Sequence, residues 1–355
     1  MSTGNVGKDA ILTFPYQVGG LLNPRILITA LLASAGLVAA GCGGASDDSS
    51  GGSGGSESGS TQLSLVAYST PEVVYDEIIP DFQATADGKD VGFKTSYGAS
   101  GEQSRAVEAG LKADVVTFSL APDVDRLVES GQVADDWAST PTKGFVTNSL
   151  VAFIVRKGNP KGIKGWDDLL KPGVKVVTPN PFTSGAAKWN LLGAVAHGGL
   201  PFVEELIKDH VSVQPKSGRE ALQTFTGGEG DVLISYEYEY TTAVKKGESD
   251  LELVRPDDTL LIENPIAVTS DAPAAAKAFV DFVLGDKAQQ HFADWGYRPV
   301  NEKVFAANKD KFPEPGKLTT IDDLGGWSAV NEKYFEEETG AITKIEEDAG
   351  VSTAK

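Results

Sequence analysis

The segment TPNPFTSGAAKWN, residues 178–190, passes from an apolar run into a helix-like pattern, with Thr183, Ser184 and Gly185 at the junction. A helix that starts there leaves its first backbone N–H groups without carbonyl partners, which makes a seat for an anion. No Lys or Arg stands directly beside the Ser-Gly pair, and the chain as a whole carries a formal net charge of −19. Three other places show the same chemistry: Ser69-Thr70, Ser100-Gly101 and Ser217-Gly218. Each sets a small hydroxyl residue or a glycine between a strand-like run and a helix-like run. Any one of them alone reads as plain helix capping. Four on one edge of a sheet could surround a ligand with neutral donors, and that edge is where open α/β sheets bind ligands.

The elements that must position these residues follow from the hydrophobic pattern. Strands are expected at 63–67, 91–97, 114–119, 149–156, 173–178, 211–213, 231–236 and 262–268, with Pro265 marking an edge or crossing position. Helices are expected from Ser69-Thr70-Pro71 to about 84, with Thr70 as cap and Pro71 in the first turn, and at 102–109, 123–130, 166–170, 185–197, 218–225, 273–284 and 286–295. A final acidic helix follows Gly325-Gly326-Trp327. Strands alternating with helices mean parallel pairing with helices on the faces of the sheet.

Composition narrows the function classes. The chain has 355 residues, enough for two lobes of ordinary size, and its 41% hydrophobic and 23% charged content is that of a globular protein. The acidic balance argues against nucleic acid and against docking on anionic lipid. One cysteine permits no intrachain disulfide, and the three histidines, His197, His210 and His291, are too scattered for a Cys/His metal cluster, so no metal or cofactor is expected. The run ISYEYEY places Glu237 and Glu239 among tyrosines, the one arrangement suggestive of acid–base catalysis, but no second catalytic cluster accompanies it. Glu237 reads better as a supporting residue, and Trp166, Trp189 and Trp327 as packing residues. There is no Walker-type phosphate loop.

The amino terminus reads as an export signal. Lys8 and Arg25 precede an apolar run, 26–41, that is too short for a stable span and ends in small residues. Cys42 follows directly. The stretch LVAAGC resembles a bacterial lipobox, with Ala39 where leucine is preferred, which implies lipidation of Cys42; an ordinary secretory signal with an incidental cysteine is the alternative. The tract GGASDDSSGGSGGSESGS, 43–60, is a tether by composition.

The stretches ADVVTFSLAPDVDRL (113–127), VRKGNPKGIKGWDDLLKPGVKVVTPNPFTSGAAKWN (155–190), GDVLISYE (230–237) and YRP (297–299) carry a family resemblance. Over roughly 63–326 the chain resembles the sulfate/thiosulfate-binding proteins of bacterial ABC importers. That resemblance implies an α/β fold of the two-lobed, type II periplasmic-binding-protein kind, each lobe a mixed, mostly parallel sheet flanked by helices, with the ligand cleft between lobes. The implied organisation is a signal peptide (1–41), a lipidated Cys42 and tether (42–60), lobe 1 (61–148 with 265–340), lobe 2 (149–264) and a tail (341–355). The chain is expected to cross between lobes near 148–151 and 263–266.

The resemblance also implies a ligand set: backbone N–H groups of Thr70, Ser100, Gly185, Ala186 and Gly218, the hydroxyl of Ser184, and a side-chain donor at position 236. Arg219 is expected to support the Gly218 loop. The family has an indole at position 236 and this chain has Tyr236, whose hydroxyl both donates and accepts. Molybdate receptors of similar fold also use a tyrosine, so a molybdate or tungstate receptor is the alternative to sulfate or thiosulfate. The implied partners are ABC permease subunits with a cytoplasmic ATPase, the implied location is the outer face of the cytoplasmic membrane, and a monomer without enzymatic activity is expected.

Overall fold

A computed structural model of the chain describes residues 61–354. β1 (Thr61–Tyr68) is buried over its last six positions. α1 (Glu72–Gln83), β2 (Val91–Gly98), α2 (Ser100–Glu108), β3 (Val115–Thr117) and α3 (Ala121–Glu129) follow. β1 pairs in parallel with β2 on one side and β3 on the other. Leu63 and Leu65 enter the main core while Val66 packs with Val116, Phe118, Val124 and Leu127 on the opposite face, the period-two alternation of a strand covered on both sides.

The twelve-residue β4 (Phe145–Arg156) then leads, through a 3-10 turn at Trp166–Leu170, into β5 (Val176–Val177), α4 (Gly185–Glu205), β6 (Val211–Val213), α5 (Gly218–Thr226), β7 (Val232–Tyr236), α6 (Glu237–Lys245) and β8 (Leu251–Val254). β5 pairs in parallel with β6 and β7. α4 runs through Pro201 because the backbone breaks at Gly199, φ 71°. The remaining elements are β9 (Asp258–Val268), α7 (Ala274–Val283), α8 (Asp286–Asp294), β10 (Arg298–Pro299), α9 (Glu302–Ala307), β11 (Lys317–Thr319), α10 (Gly326–Val330) and α11 (Ala341–Asp348).

The strand order is β2-β1-β3-β9-β4-β7-β5-β6. Parallel pairs hold the outer three strands of each half, and the central joints are antiparallel. Both central strands change partner midway: β4 pairs with β9 up to Leu150 and with β7 from Val151, while β9 pairs with β4 up to Pro265 and with β3 from Ile266. Two α/β lobes thus share two strands, a type II binding-protein arrangement, with the partner exchange at Leu150–Val151 and Pro265–Ile266. Pro265 fits there because it needs no N–H of its own; its carbonyl accepts from Phe118 N and Thr117 Oγ1.

Several boundaries differ from expectation. The strand expected at 114–119 stops at Thr117, because Ser119 N turns to a side chain, Ser100 Oγ at 2.9 Å. The chain after Tyr236 is helical, so Glu237 and Glu239 are not strand neighbours. The stretch from 326 onward, expected to join the first lobe as far as 340, packs on α4 instead: Trp327 meets Trp189 edge-on at 4.8 Å, and Asn331 Oδ1 accepts from Lys188 Nζ. Residues 1–60, with the expected signal, Cys42 and tether, lie outside the described residues. The described residues belong to one compact unit with its own hydrophobic interior.

Candidate functional site

The carboxyl ends of the strands enclose a small chamber lined by Tyr68, Ser69, Thr70, Ala99, Ser100, Ser119, Ser184, Gly185, Ala186, Ser217, Gly218 and Tyr236. All seven expected ligand residues are in that lining. No Asp, Glu, Lys, Arg or His is. Their approach is close: a Cβ on Gly218 would lie 3.4 Å from Thr70 Cγ2 and 3.6 Å from Ala186 Cβ.

The donors come from four chain turns. Gly185 and Ala186 are the first two residues of α4, and Gly218 is the first of α5, so helix geometry leaves these N–H groups without an internal acceptor. Ser217 is a true cap, its Oγ accepting from Glu220 N at 3.2 Å. Ser184 holds the equivalent position on α4 but does not cap it, which leaves its hydroxyl for the chamber. The turn itself is held by Asn180, whose carbonyl accepts from Ser184 N at 2.9 Å. Asn190 anchors α4 by donating to Thr178 Oγ1 and to Ile234 O on β7.

Ser100 begins α2, two residues earlier than expected. Its hydroxyl is committed elsewhere, donating to Asp123 Oδ2 at 2.6 Å and accepting from Ser119 N; its backbone N–H is what faces outward from the helix start. Asp123 is buried, and desolvation raises its carboxyl above the usual range against the pull of that serine bond. Thr70 does not cap α1; Pro71 holds that position. The Thr70 hydroxyl pairs with Tyr238 OH at 2.7 Å instead.

Tyr236 ends β7 and is 1% exposed. Its ring stacks on Tyr238, which stacks on Tyr297, at 4.8 and 3.6 Å between centroids. Its hydroxyl lies 2.5 Å from Ser119 Oγ. Burial pushes the Tyr236 phenol well above its usual range, so it keeps its proton. Two hydroxyls that share one hydrogen bond have one O–H left to aim at the chamber. Ser119 was not among the expected site residues, yet it closes the same strand-to-helix junction chemistry, at the end of β3 and before α3. It is fixed from both lobes: Ser100 Oγ accepts from its N–H, and its carbonyl accepts from Trp189 Nε1 at 2.9 Å and Asn264 Nδ2 at 3.2 Å.

Arg219 stands behind the chamber rather than in it. Its guanidinium donates to the Glu72 carboxylate and to the Ser69 carbonyl, tying the start of α5 to the Thr70 turn. Glu237 is held by Arg298, Nε to Oε2 at 2.8 Å, and by Arg255. Glu239 is buried separately and desolvation raises it to about 7. The two carboxylates therefore stand in different surroundings, Glu237 held by two arginines and Glu239 buried. Among the described residues no cluster of three or more His, Cys, Asp or Glu is placed to hold a metal.

Residues 63–298 match the family model described as bacterial extracellular solute-binding protein. The chain is 39% identical to a sulfate-binding protein of Synechococcus elongatus, over 87% of this chain and 93% of that one. It is 34% identical to a thiosulfate-binding protein of Pseudomonas aeruginosa, over 86% of this chain and 95% of that one. Its fold is similar to the solved structure of the sulfate-binding protein SubI from Mycobacterium tuberculosis H37Rv, with a TM-score of 0.74 and 47% identity, covering 76% of this chain and 98% of that one.

Proposed function

Because the chain belongs to the bacterial extracellular solute-binding proteins, alongside sulfate- and thiosulfate-binding members, we propose that it captures dehydrated sulfate, or thiosulfate, and delivers it to an ABC permease for import. The observation that carries this reading is a small chamber whose lining offers backbone N–H and hydroxyl groups from several turns and no ionised side chain. Hydrogen bonds to a charged group contribute about 1.5–3 kcal/mol each, and each helix start adds about 0.3–1 kcal/mol. Several such terms offset the dehydration of a dianion, and the surplus is the affinity.

Selectivity follows from the same lining. Sulfate is fully deprotonated near neutral pH and needs donors. Phosphate there carries a proton, and no carboxylate in the lining receives it; an unpaired buried polar group costs about 1–3 kcal/mol. Thr70, Ser100, Gly185, Ala186 and Gly218 supply N–H groups, Ser184 an O–H, and Tyr236 with Ser119 one further O–H. Arg219 positions two of the turns.

The moving bodies are residues 61–148 with 265–325 and residues 149–264 with 326–354, hinged where β4 and β9 exchange partners. Cys42 is the lipidation site that holds the exported protein at the outer face of the cytoplasmic membrane, as a monomer that meets the permease. Replacing Cys42 by Ala is expected to release the protein from membrane fractions; retention on the membrane would remove the anchor from this reading.

Calorimetric titration of the chain from Ala45 onward tests the ligand. Tight binding of sulfate, unaffected by an equal concentration of phosphate, is the expected result. Molybdate binding far above sulfate would keep the transport role and change its cargo.

A further inference from the structure

The Ser184–Gly185 turn is also the back wall of a second cavity of about 530 Å³, open to solvent and bounded by α2, α3, the turn before α4 and the stretch from Trp327 to Glu336. Two arginines reach into it. Arg105 Nη2 and Arg126 Nε are buried and have no hydrogen-bond partner. Among the described residues Arg126 has a loose ion pair, Glu108 Oε2 at 3.5 Å from Nη1, and the charge of buried Asp123 acts on it. The Arg105 guanidinium lies over the start of α2: a Cβ on Gly101, next to Ser100, would sit 3.1 Å from Nη1.

Buried donors are normally paired, and leaving one unpaired costs about 1–3 kcal/mol. Two guanidinium groups side by side compound that cost. Burial, and then the charge of Arg126, hold Arg105 below its usual range. Asp123, Glu102 and Glu108 act on Arg105 by charge, and Asp123 on Arg126, but none accepts a hydrogen bond from Arg105 Nη2 or Arg126 Nε. Asp125, Glu129, Glu332 and Glu336 are exposed on its rim, where salt screens them. Asp123 is turned to Ser100. Lys188 adds positive charge to the wall, its Nζ 3.2 Å from Asn331 Oδ1.

We propose that Arg105 and Arg126 form an outer station for a small multivalent oxyanion, which pauses there before passing the Ser184 turn into the chamber. Guanidinium forks suit such oxygens and tolerate a partly hydrated ligand. The station supplies what the neutral chamber lacks, ionised donors at short range, on a molecule whose overall charge repels its ligand. It rests on the oxyanion-capture reading above.

The test is stopped-flow tryptophan fluorescence with sulfate, at low and high salt, on the chain from Ala45. Charge-lined clefts raise association rates by at least about tenfold, and removing rim charge acts mainly on association. The Arg105→Gln/Arg126→Gln double variant is expected to capture sulfate about tenfold more slowly at low salt, with dissociation little changed and the salt dependence flattened. Arg126→Lys should keep most of the wild-type rate. Lys277→Gln, which removes one positive charge from exposed α7, should change nothing. Equal association rates in the wild type and the double variant would overturn the station alone, as would equal slowing by Lys277→Gln. A wild type that captures no oxyanion would overturn both readings together.

Discussion

Tyr236 and Ser119 are 117 residues apart in the chain and 2.5 Å apart at their hydroxyls. Because one bond joins them, they act as one donor. The double variant Tyr236→Phe/Ser119→Ala is expected to weaken sulfate binding by about ten- to a hundredfold, the loss of one hydrogen bond to a charged group. Either single variant should lose less, since the remaining hydroxyl, freed from the mutual bond, keeps one O–H for the chamber. Additive losses in a calorimetric double-mutant cycle would show two independent contacts. The sequence pointed to Tyr236 through the motif around it. It pointed to Ser184, Gly185 and Gly218 because junction chemistry is local. It did not point to Ser119, whose role depends on a contact across the cleft, although a hydroxyl between a strand and a helix was the sign used for the other four turns. For Thr70 and Ser100 the sequence identified the positions, but the hydroxyls turned out to be held by Tyr238 and Asp123.

At the scale of elements, the start of α4 has little room. A Cβ on Gly185 would fall 2.5 Å from Ser119 Oγ and 2.9 Å from Leu120 Cγ, so α4 and the turn between β3 and α3 approach as closely as they do only because that residue is glycine. Gly185→Ala is expected to cut sulfate affinity by more than tenfold by holding the lobes apart, with a smaller fall in the unfolding midpoint; an affinity within twofold of wild type would contradict the packing argument. α11 carries a pH-dependent term. Glu346 is fully buried, desolvation raises it to about 7 against an ordinary 4.5, and Gln214 Nε2 donates to both its oxygens at 3.0 Å. A folded value above the unfolded one means that the native state holds the proton more tightly. The stability so gained is complete below about pH 4.5 and is lost as pH rises through about 7. Glu346→Gln should therefore flatten part of the fall in thermal midpoint across that window, Glu239 accounting for another part. An unchanged slope would mean that the carboxyl is solvated. The sequence marked α11 only as an acidic helix, and acidity alone does not distinguish a solvated carboxylate from a buried one.

For the whole molecule, the alternation of strands and helices was legible further than the edges of the sheet. That alternation pointed to parallel pairing with helices on the faces. The short strands β8, β10 and β11 were missed because two to four residues carry no periodic signal. So was the return of the last thirty or so residues to α4, which no local pattern announces. Closure around a ligand links binding to stability: sulfate at about a hundred times its dissociation constant should add about 2.7 kcal/mol to unfolding, read as a raised thermal midpoint that phosphate does not reproduce. No shift with sulfate would mean that the anion does not select the closed, folded form.

The direction of β1 decides how the protein can be held on a surface. It enters the sheet at Thr61 and ends at Tyr68, against the chamber, about 23 Å further on at the rise of a strand. A chain immobilised by what precedes Thr61 therefore turns its mouth toward the bulk solution, free to sample ligand. The other end offers no such freedom: Asn180, which holds the Ser184 turn, donates to the carbonyl of Ser352 at 2.8 Å. Attachment through the last residues would pull on the chamber itself, so a sensor built from this protein is best mounted by its amino-terminal side.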